Sequence, residues 1–290
     1  MAARNPPASA DRRALILFAV AAAAAVALGS AGLALSGVAF GSWVRTPVAL
    51  AVGLILGLGM IAVGRRRSVD VLLVVATIIA LTATFSFPDQ SGVHRWIDLG
   101  AVHVNVAGLL LPLAIVALGE VVLARPVFLA AIAAIAALLV AQPDASQATA
   151  FAVGGSLLLL GRRDLSAAVS LIAILGLAGL ALVAWLRPDP LLPVPEVEGV
   201  FGLLAAVSLP LAAAAAVALA TTSLSPLLRT SDPESRMPAG APLAGYFATT
   251  AIMPLLGAYP VPLVGLGMSF PVGYCLGMAL LCAKPGTATR

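Results

Sequence analysis

A short polar segment, residues 91–100, stands between long apolar runs and carries the side chains best suited to chemistry. It reads SGVHRWIDLG and contains His94, Arg95, Trp96 and Asp98. Only 10% of all residues are charged, and charged groups are costly at the boundary of a bilayer. This cluster therefore indicates a functional site.

The other unusual polar residues follow later apolar runs. They are Gln142 and Asp144, then Arg187, Asp189, Glu196 and Glu198, and finally Tyr259. Arginine binds phosphate, carboxylates perform acid–base or metal chemistry, and aromatic rings sit at the level of lipid headgroups. Together they predict a site for an anionic, partly lipidic ligand. The alternative is a set of ordinary solvated loops, which is the preferred interpretation for Arg187 and Asp189.

The chain that must position these groups has the composition of a membrane protein. Hydrophobic residues make up 61% of it, and its mean hydropathy is +1.10. A helix needs about 20 apolar residues to cross the hydrocarbon core. About ten runs approach that length, so we predict an all-α, polytopic integral membrane protein. The runs are 14–38, 46–63, 69–87, 106–123, 127–141, 146–160, 165–186, 200–220, 242–257 and 263–282.

Positive charge predicts the orientation, because Lys and Arg in short loops favour the cytoplasm. With an inside N-terminus, thirteen of the sixteen basic residues are cytoplasmic, and only Arg45, Arg95 and Arg187 are outside. Both termini are therefore predicted to be cytoplasmic, with the polar site on the outer face. Contact with anionic membrane lipids accounts for the net charge of +4, and no nucleic-acid partner is predicted.

We divide the chain into a cytoplasmic N-terminal tail, 1–13, a transmembrane domain, 14–284, and a C-terminal tail, 285–290. Residues 221–241 form a predicted cytoplasmic linker within the domain. A cleavable secretory signal is the alternative at the N-terminus. The first apolar run is longer than the roughly 7–15 residues of a typical signal core, which favours a retained span.

Cysteine and histidine offer no metal or redox site in the sequence. Cys275 and Cys282 lie about 10 Å apart along one predicted helix, too far for a disulfide. We interpret them as packing residues. His94 and His103 are interpreted as interfacial residues, because zinc needs further nitrogen or sulfur ligands nearby.

Four collinear motifs resemble the SEDS family of FtsW-, RodA- and SpoVE-type proteins. Residues 92–100, GVHRWIDLG, resemble the family's G-x-x-R-W-I-x-L-G loop. Residues 142–144, QPD, resemble the start of Q-P-D-x-G-T-A, and residues 194–196, VPE, resemble L-P-E. Residues 260–269, PVPLVGLGMS, resemble the P-L-P-F-x-S-Y-G-G-S entry into the last span. In this order the matches extend over nearly the whole chain.

The resemblance implies a bacterial inner-membrane protein that polymerises lipid II, or handles another undecaprenyl-linked lipid, in cell division or cell-shape maintenance. It also implies a class B penicillin-binding protein as partner. The residues carried over as substrate-binding candidates are Arg95, Trp96, Asp98, Gln142, Glu196, Gly267 and Ser269. No cofactor is predicted, although an active enzyme would be compatible with a divalent cation.

The chain departs from the family at the catalytic position. The family's essential aspartate in L-P-E-x-H-T-D falls on Val200, which neither accepts a proton nor holds a cation. Glu198 and Asp144 remain as substitute catalytic carboxylates. The family's Q-P-S-E-x-x-K is replaced by residues 105–111, NVAGLLL, so its Glu and Lys are absent.

Three hypotheses follow. The first is a degenerate SEDS-like protein that acts as a binding or regulatory partner in cell-wall synthesis. The second is an active glycosyltransferase that uses Glu198 or Asp144. The third is a lipid flippase or transporter, which the turn 265–269 permits but which lacks an ionisable group near the middle of a span. Glu120, the nearest such group, is expected beside Arg125 at the cytoplasmic end.

Overall fold

The structure is a computed structural model that describes residues 8–100, 102–121, 123–229 and 237–284. Within these residues it is mostly helical. The helices are α1 (Ala8–Leu35), α2 (Phe40–Trp43), α3 (Arg45–Val63), α4 (Arg67–Ala83), α5 (Val106–Glu120), α6 (Arg125–Ala141), α7 (Ala145–Gly161), α8 (Ala167–Leu186), α9 (Val200–Val207), α10 (Leu209–Leu224), α11 (Ala241–Ile252) and α12 (Ser269–Cys282). The two strands are β1 (Trp96–Leu99) and β2 (Val102–Asn105).

Each of the ten predicted apolar runs overlaps a helix, which confirms the all-α prediction. Five helical segments are long and apolar enough to cross a membrane: Asp11–Leu35, Phe40–Val63, Arg67–Ser86, Ala167–Leu186 and Leu209–Leu228. Four further apolar helices, α5, α6, α7 and α12, have 10–17 residues. The chain is thus a multi-pass membrane protein, while the count of ten spans and the inside termini stay predictions.

The helices form a buried centre inside a lipid-facing ring. α5, α7 and α12 have most of their residues buried, and α12 packs between α3 and α5, while α7 packs against α8 and α11. The outer helices instead expose large apolar side chains, such as Ile55, Leu72, Leu175 and Val217. Apolar surface of this kind is stable in hydrocarbon and not in water.

Glycine permits the closest contact within this centre. A Cβ atom on Gly273 of α12 would lie 2.2 Å from the carbonyl oxygen of Gly108 and 2.8 Å from that of Leu109 on α5. Small residues allow transmembrane helices to approach this closely, so that backbones make the van der Waals contacts. The α5–α12 contact therefore depends on the absence of a side chain at Gly273.

The predicted span 200–220 is broken in the structure. α9 ends at Val207 and α10 begins at Leu209, and Ser208 between them is extended, with φ −166° and ψ 121°. Pro210 lies in the first turn of α10. Because proline has no amide hydrogen and its ring clashes with the preceding turn, Pro210 favours a break in the helix at this point.

The segment predicted as a polar loop contains a two-stranded sheet. β1 and β2 pair antiparallel, with Trp96 opposite Asn105 and Asp98 opposite His103. Asp98 and His103 form a side-chain hydrogen bond across the strands. Cross-strand pairs of this type stabilise an antiparallel hairpin. The hairpin leads directly into α5.

Charged side chains meet at the opposite end of the helices. Arg65 is 7% exposed and forms an ion pair with Asp70 at 2.8 Å, and it donates a hydrogen bond to the carbonyl oxygen of Val116 at 3.1 Å. Glu120 pairs with Arg229 at 3.3 Å. Glu120 is thus paired, as expected, but its partner is Arg229 from the end of another helix, whereas Arg125 pairs with Asp164 at 3.6 Å.

Helices extend into two of the segments assigned as tail and linker. α1 begins at Ala8, inside the segment predicted as a tail, and α10 extends the helical structure to Leu224, inside the predicted linker. Residues 230–236 of that linker and the tail 285–290 lie outside the described residues. Cys275 and Cys282 are free and buried, as the spacing predicts.

We expect Gly273→Ala to destabilise the protein by about 1–3 kcal/mol, because the new methyl group would force two closely packed backbones apart. Thermal unfolding of the purified protein in detergent measures this effect. Gly176→Ala on α8 is the matched control, since no heavy atom lies within 4 Å of its added methyl group. An equal shift for both variants would contradict the proposed contact.

Candidate functional site

A cavity lies where three central helices begin. It holds about 440 Å³ of space, including open water at its mouth. The residue that caps α5 and the first residues of α7 and α12 face it, together with the segment before α9 and the turn before α12. The lining residues are Arg95, Trp96, Asn105, Asp144, Ser146, Gln147, Asp189, Leu191, Leu192, Pro193, Glu198, Ala258, Pro260 and Phe270.

Arg95 is the central group of this cavity. Its backbone is fixed because its carbonyl oxygen accepts a hydrogen bond from the amide of Val106 at 3.2 Å. The residue is only 6% exposed. Its guanidinium donates to the carbonyl oxygen of Pro143 and to Asp189 Oδ2, the latter at 2.5 Å. Asp144 Oδ2 lies 3.5 Å from its Nε. One side chain thus joins three distant segments of the chain.

The charge of Arg95 is balanced locally. Burial lowers the pKa of its guanidinium, but Asp144 and Asp189 outweigh burial, and the pKa lies above its ordinary value. The arginine is therefore a permanent cation held by two carboxylates. A buried charge of this kind is tolerable only when it is paired and hydrogen-bonded.

Asp144 has a local structural role as well. It is 2% exposed and caps α7, where its Oδ1 accepts hydrogen bonds from the amide of Gln147 at 3.2 Å and from the hydroxyl of Ser146 at 3.0 Å. A carboxylate at a helix N-terminus satisfies free amides and interacts favourably with the helix dipole. Both oxygens of Asp144 are thus already engaged.

Glu198 reaches the cavity from a turn before α9. Its Oε2 accepts a hydrogen bond from the amide of Val194 at 2.6 Å. This turn is held against the turn before α12, because Val261 donates to the carbonyl oxygen of Val197 at 3.0 Å and Leu266 to that of Glu196 at 2.9 Å. Burial raises the pKa of Glu198 above its ordinary value of 4.5, although the amide of Val194 and Arg95 lower it.

Val200, at the position of the family's aspartate, is not a cavity residue. It is the first residue of α9 and is fully buried in the hydrophobic core. Glu198, two residues earlier, faces the cavity instead.

The structure brings four of the predicted site residues together: Arg95, Trp96, Asp144 and Glu198 all line the cavity. Trp96 opens β1, and its cross-strand partner Asn105 lines the same cavity.

The other predicted site residues lie outside the lining and make structural contacts. Gln142 is fully buried, and its amide nitrogen donates to the carbonyl oxygen of Leu81 at 3.0 Å and to Thr84 at 2.8 Å. Asp98 pairs with His103 in the hairpin. Gln142 thus joins the turn before α7 to the end of α4, and Asp98 joins the two strands of the hairpin.

Near α12 the remaining predicted residues also hold the backbone. Gly267 donates its amide to the hydroxyl of Thr46 at 3.3 Å, and the hydroxyl of Ser269 accepts from the amide of Asn105 at 2.9 Å. Glu196 contributes its carbonyl oxygen to Leu266. These contacts join the turn before α12 to neighbouring segments.

Three cavity residues were missed as site candidates by sequence reasoning. Asp189 was interpreted as a solvated loop residue, but it bonds Arg95. No sequence motif pointed to Asn105 or Gln147 as site residues, although Asn105 directly precedes an apolar helix, as an N-cap residue does. Their contribution depends on contacts between distant segments.

The described residues contain no set of side chains placed as metal ligands. Among the described residues, no group of three or more His, Cys, Asp and Glu side chains is placed to hold a metal ion. The carboxylates Asp144 and Asp189 contact the guanidinium of Arg95 instead.

In its fold, the chain is similar to solved proteins of cell-wall synthesis. No family model matches it, and no curated protein matches it significantly. The rod-shape-determining protein RodA of Thermus thermophilus matches with a TM-score of 0.57 and 23% identity, over 91% of this chain and 94% of that chain. Its aspartate-to-alanine mutant matches with a TM-score of 0.56 and 24% identity, over 91% and 94%.

A solved peptidoglycan synthase complex, described in terms of coordinated polymerisation and crosslinking, also contains a similar chain. The TM-score is 0.65 and the identity 19%, over 91% of this chain and 95% of that chain. These likenesses show that the chain has a RodA-like membrane fold.

We expect Arg95→Lys to destabilise the protein by about 2 kcal/mol or more, because an ammonium group cannot reproduce the forked contacts of a guanidinium. Thermal unfolding in detergent and limited proteolysis of residues 187–199 measure the effect. Arg187→Lys, at an exposed position of the same loop, is the control. Equal protease sensitivity of the two variants would contradict the role of Arg95.

Glu198 should make stability depend on pH. Because its pKa is raised in the fold, the folded state binds the proton more tightly than the unfolded state. Its contribution is thus most favourable below about pH 4.5 and is lost as the pH rises towards the raised value. Glu198→Gln should remove this dependence, which unfolding measurements from acidic to neutral pH would detect. An unchanged pH profile in the variant would contradict the assignment.

Proposed function

We propose that this chain is a SEDS-type protein of bacterial cell-wall synthesis that binds lipid II, or another undecaprenyl-linked lipid, in the Arg95 cavity. In this proposal it acts as a binding or regulatory partner and not as the polymerase. The main observation behind this proposal is that the cavity is lined both by polar groups held in place by Arg95 and by the apolar side chains of Leu191, Leu192 and Phe270. An amphiphilic ligand needs both kinds of surface.

The state of the carboxylates supports a non-catalytic role. The family's catalytic position is the buried Val200, and Asp144 and Asp189 are both committed to Arg95. A catalytic base must be able to reach the proton that it removes. Asp144 is additionally bonded to Ser146 and to the α7 backbone, so it is a poor substitute.

An active glycosyltransferase is the second candidate, and Glu198 is the observation that favours it. A carboxylate with a raised pKa in a cavity is suited to general-base catalysis. Glu198 would take the proton of a sugar hydroxyl while the hydroxyl oxygen bonds to the anomeric carbon of a second lipid-linked sugar. The bond from that carbon to undecaprenyl pyrophosphate breaks, and its electron pair leaves with the pyrophosphate.

A transport role finds less support. Among the described residues, the buried charged side chains of Arg65, Asp70, Arg95 and Asp144 lie in loops or next to helix ends and not in the middle of a helix. Ion-coupled transporters generally place such groups near the centre of the bilayer.

The proposal includes a location and a partner. The protein would lie in the bacterial inner membrane with both termini in the cytoplasm and the Arg95 cavity at the outer face, where the positive-inside rule places residues 91–100. A class B penicillin-binding protein is the proposed partner, supported by the similar chain in a peptidoglycan synthase complex. A role in cell division and one in cell-shape maintenance are both compatible with this location.

We expect the purified full-length chain to bind lipid II in detergent but to form no glycan strands, with or without a class B penicillin-binding protein. Native mass spectrometry measures binding, and gel analysis of labelled lipid II measures polymerisation. Strands that form with wild type and with Asp89→Ala, but not with Glu198→Ala, would establish the second candidate. Asp89 is a suitable control because it is an exposed carboxylate outside the cavity lining. A wild-type protein that neither binds nor polymerises lipid II would refute both.

A further inference from the structure

Two amide side chains of the cavity have their oxygens occupied by the protein. Asn105 caps α5, and its Oδ1 accepts a hydrogen bond from the amide of Gly108 at 2.7 Å. Gln147 lies in the first turn of α7, and its Oε1 accepts from the hydroxyl of Tyr246 on α11 at 2.5 Å. Both residues line the cavity.

These contacts fix which end of each amide is available. An amide group has one acceptor oxygen and one nitrogen with two donor hydrogens, and its orientation is assigned from its partners. Because both oxygens are occupied, the free ends are the NH₂ groups. In the described part of the chain, neither nitrogen has a protein hydrogen-bond partner. The cavity therefore contains two uncharged donors without acceptors.

Tyr246 holds Gln147 from below the cavity. It is fully buried, and its ring lies beside that of Phe247, with the ring centroids 6.0 Å apart. A buried hydroxyl group needs a hydrogen-bond partner, and here the Tyr246 hydroxyl donates to Gln147 Oε1, which leaves the NH₂ group of Gln147 unbonded among the described residues. Gln147 itself is 1% exposed. The tyrosine thus has the geometry of a positioning residue.

The charges of the cavity disfavour an anion at these donors. The guanidinium of Arg95 is already balanced by Asp144 and Asp189, and Glu198 adds a further carboxylate. A phosphate entering the cavity would meet this excess of negative charge. A ligand group would not be repelled if it is uncharged, has hydroxyls that donate to the carboxylates and has an oxygen that accepts from the two amides.

We propose that Asn105 and Gln147 form a subsite for the carbonyl oxygen of an acylamino sugar, with Tyr246 as the positioning residue. A carbonyl oxygen has two lone pairs and accepts two hydrogen bonds. This inference rests on the proposed function, and it assigns the sugar of the lipid-linked ligand to the cavity and its pyrophosphate to the outside. Specificity for the acylamino group would follow from the two NH₂ donors, which lose their acceptor when that group is absent.

The test compares two synthetic lipid II analogues that differ only at C2 of both sugars, where one carries acetamido groups and the other hydroxyl groups. Undecaprenyl pyrophosphate without sugar is the third ligand. We expect the wild-type chain in detergent to bind the acetamido analogue about 5-fold more tightly than the hydroxyl analogue, the usual effect of about one hydrogen bond. Native mass spectrometry measures all three affinities.

Two substitutions at Gln147 test the contribution of its NH₂ group to this preference. Gln147→Glu keeps the oxygen that accepts from Tyr246 but adds a charge, whereas Gln147→Met removes the polar group without adding charge. We expect both to abolish the preference for the acetamido analogue. Gln90→Met, an exposed glutamine outside the cavity, is the control and should retain the preference.

Tyr246→Phe tests positioning. It removes the hydroxyl that orients Gln147, so the preference for the acetamido analogue should fall while binding of undecaprenyl pyrophosphate stays unchanged. Tyr274→Phe is the matched control, because Tyr274 is also fully buried but donates to the carbonyl oxygen of Phe247. Thermal unfolding shows whether each variant is folded.

The outcomes separate this inference from the proposed function. Equal loss of preference in Tyr246→Phe and Tyr274→Phe, or unchanged preference in both Gln147 variants, overturns the subsite while lipid II binding stands. A wild-type protein that binds both analogues equally also overturns it. A wild-type protein that binds no lipid-linked sugar overturns the proposed function, and the subsite falls with it.

Discussion

The buried guanidinium of Arg95 is the interaction on which the polar site depends. It joins the segment before β1, the turn 142–144 before α7 and the loop that carries Asp189. In an apolar environment, each of these charged groups would be costly alone, whereas together they neutralise one another. The same pairing has a functional consequence, because it leaves Arg95 little capacity to bind a further anion. A residue that the sequence presents as an anion-binding group is thus mainly a connection between segments.

The surrounding helices explain how such a polar group exists inside a membrane protein. α5, α7 and α12 begin at the cavity and have 14–17 residues each, fewer than the roughly 20 that a full span requires. Their N-termini carry partial positive charge, which offsets part of the negative charge of Asp144 and Glu198. The lipid-facing helices enclose this centre with apolar side chains. The cavity is therefore polar because three helices start there, and it is stable because the outer helices shield it.

The fold and the charged groups of the cavity give different kinds of evidence. The RodA-like fold covers 91% of the chain, whereas Val200, where the resemblance to SEDS proteins places an aspartate, is fully buried. The carboxylates that remain in the cavity are mostly engaged by Arg95 or by backbone amides. Glu198 differs from Asp144 and Asp189 in forming no ion pair with Arg95: Oε2 accepts from the amide of Val194, and burial raises its pKa. In the proposed function, the choice between a binding protein and an enzyme therefore depends on Glu198.

Composition and hydrophobic pattern alone determined the class of protein, the helices and the polar segments that meet at the site, because burial in a bilayer imposes a strong and local requirement on the sequence. The unpaired cysteines followed from spacing on one helix in the same way. Tertiary structure decided the partners of the polar residues: Asp189 reaches Arg95 across 94 positions and Tyr246 reaches Gln147 across 99, while Gln142 turned out to hold the end of α4. It also decided the break at Ser208 and the β1–β2 hairpin. A hydrogen bond between distant segments leaves no periodic pattern in the chain, so the fold had to bring the two groups together before their roles could be assigned.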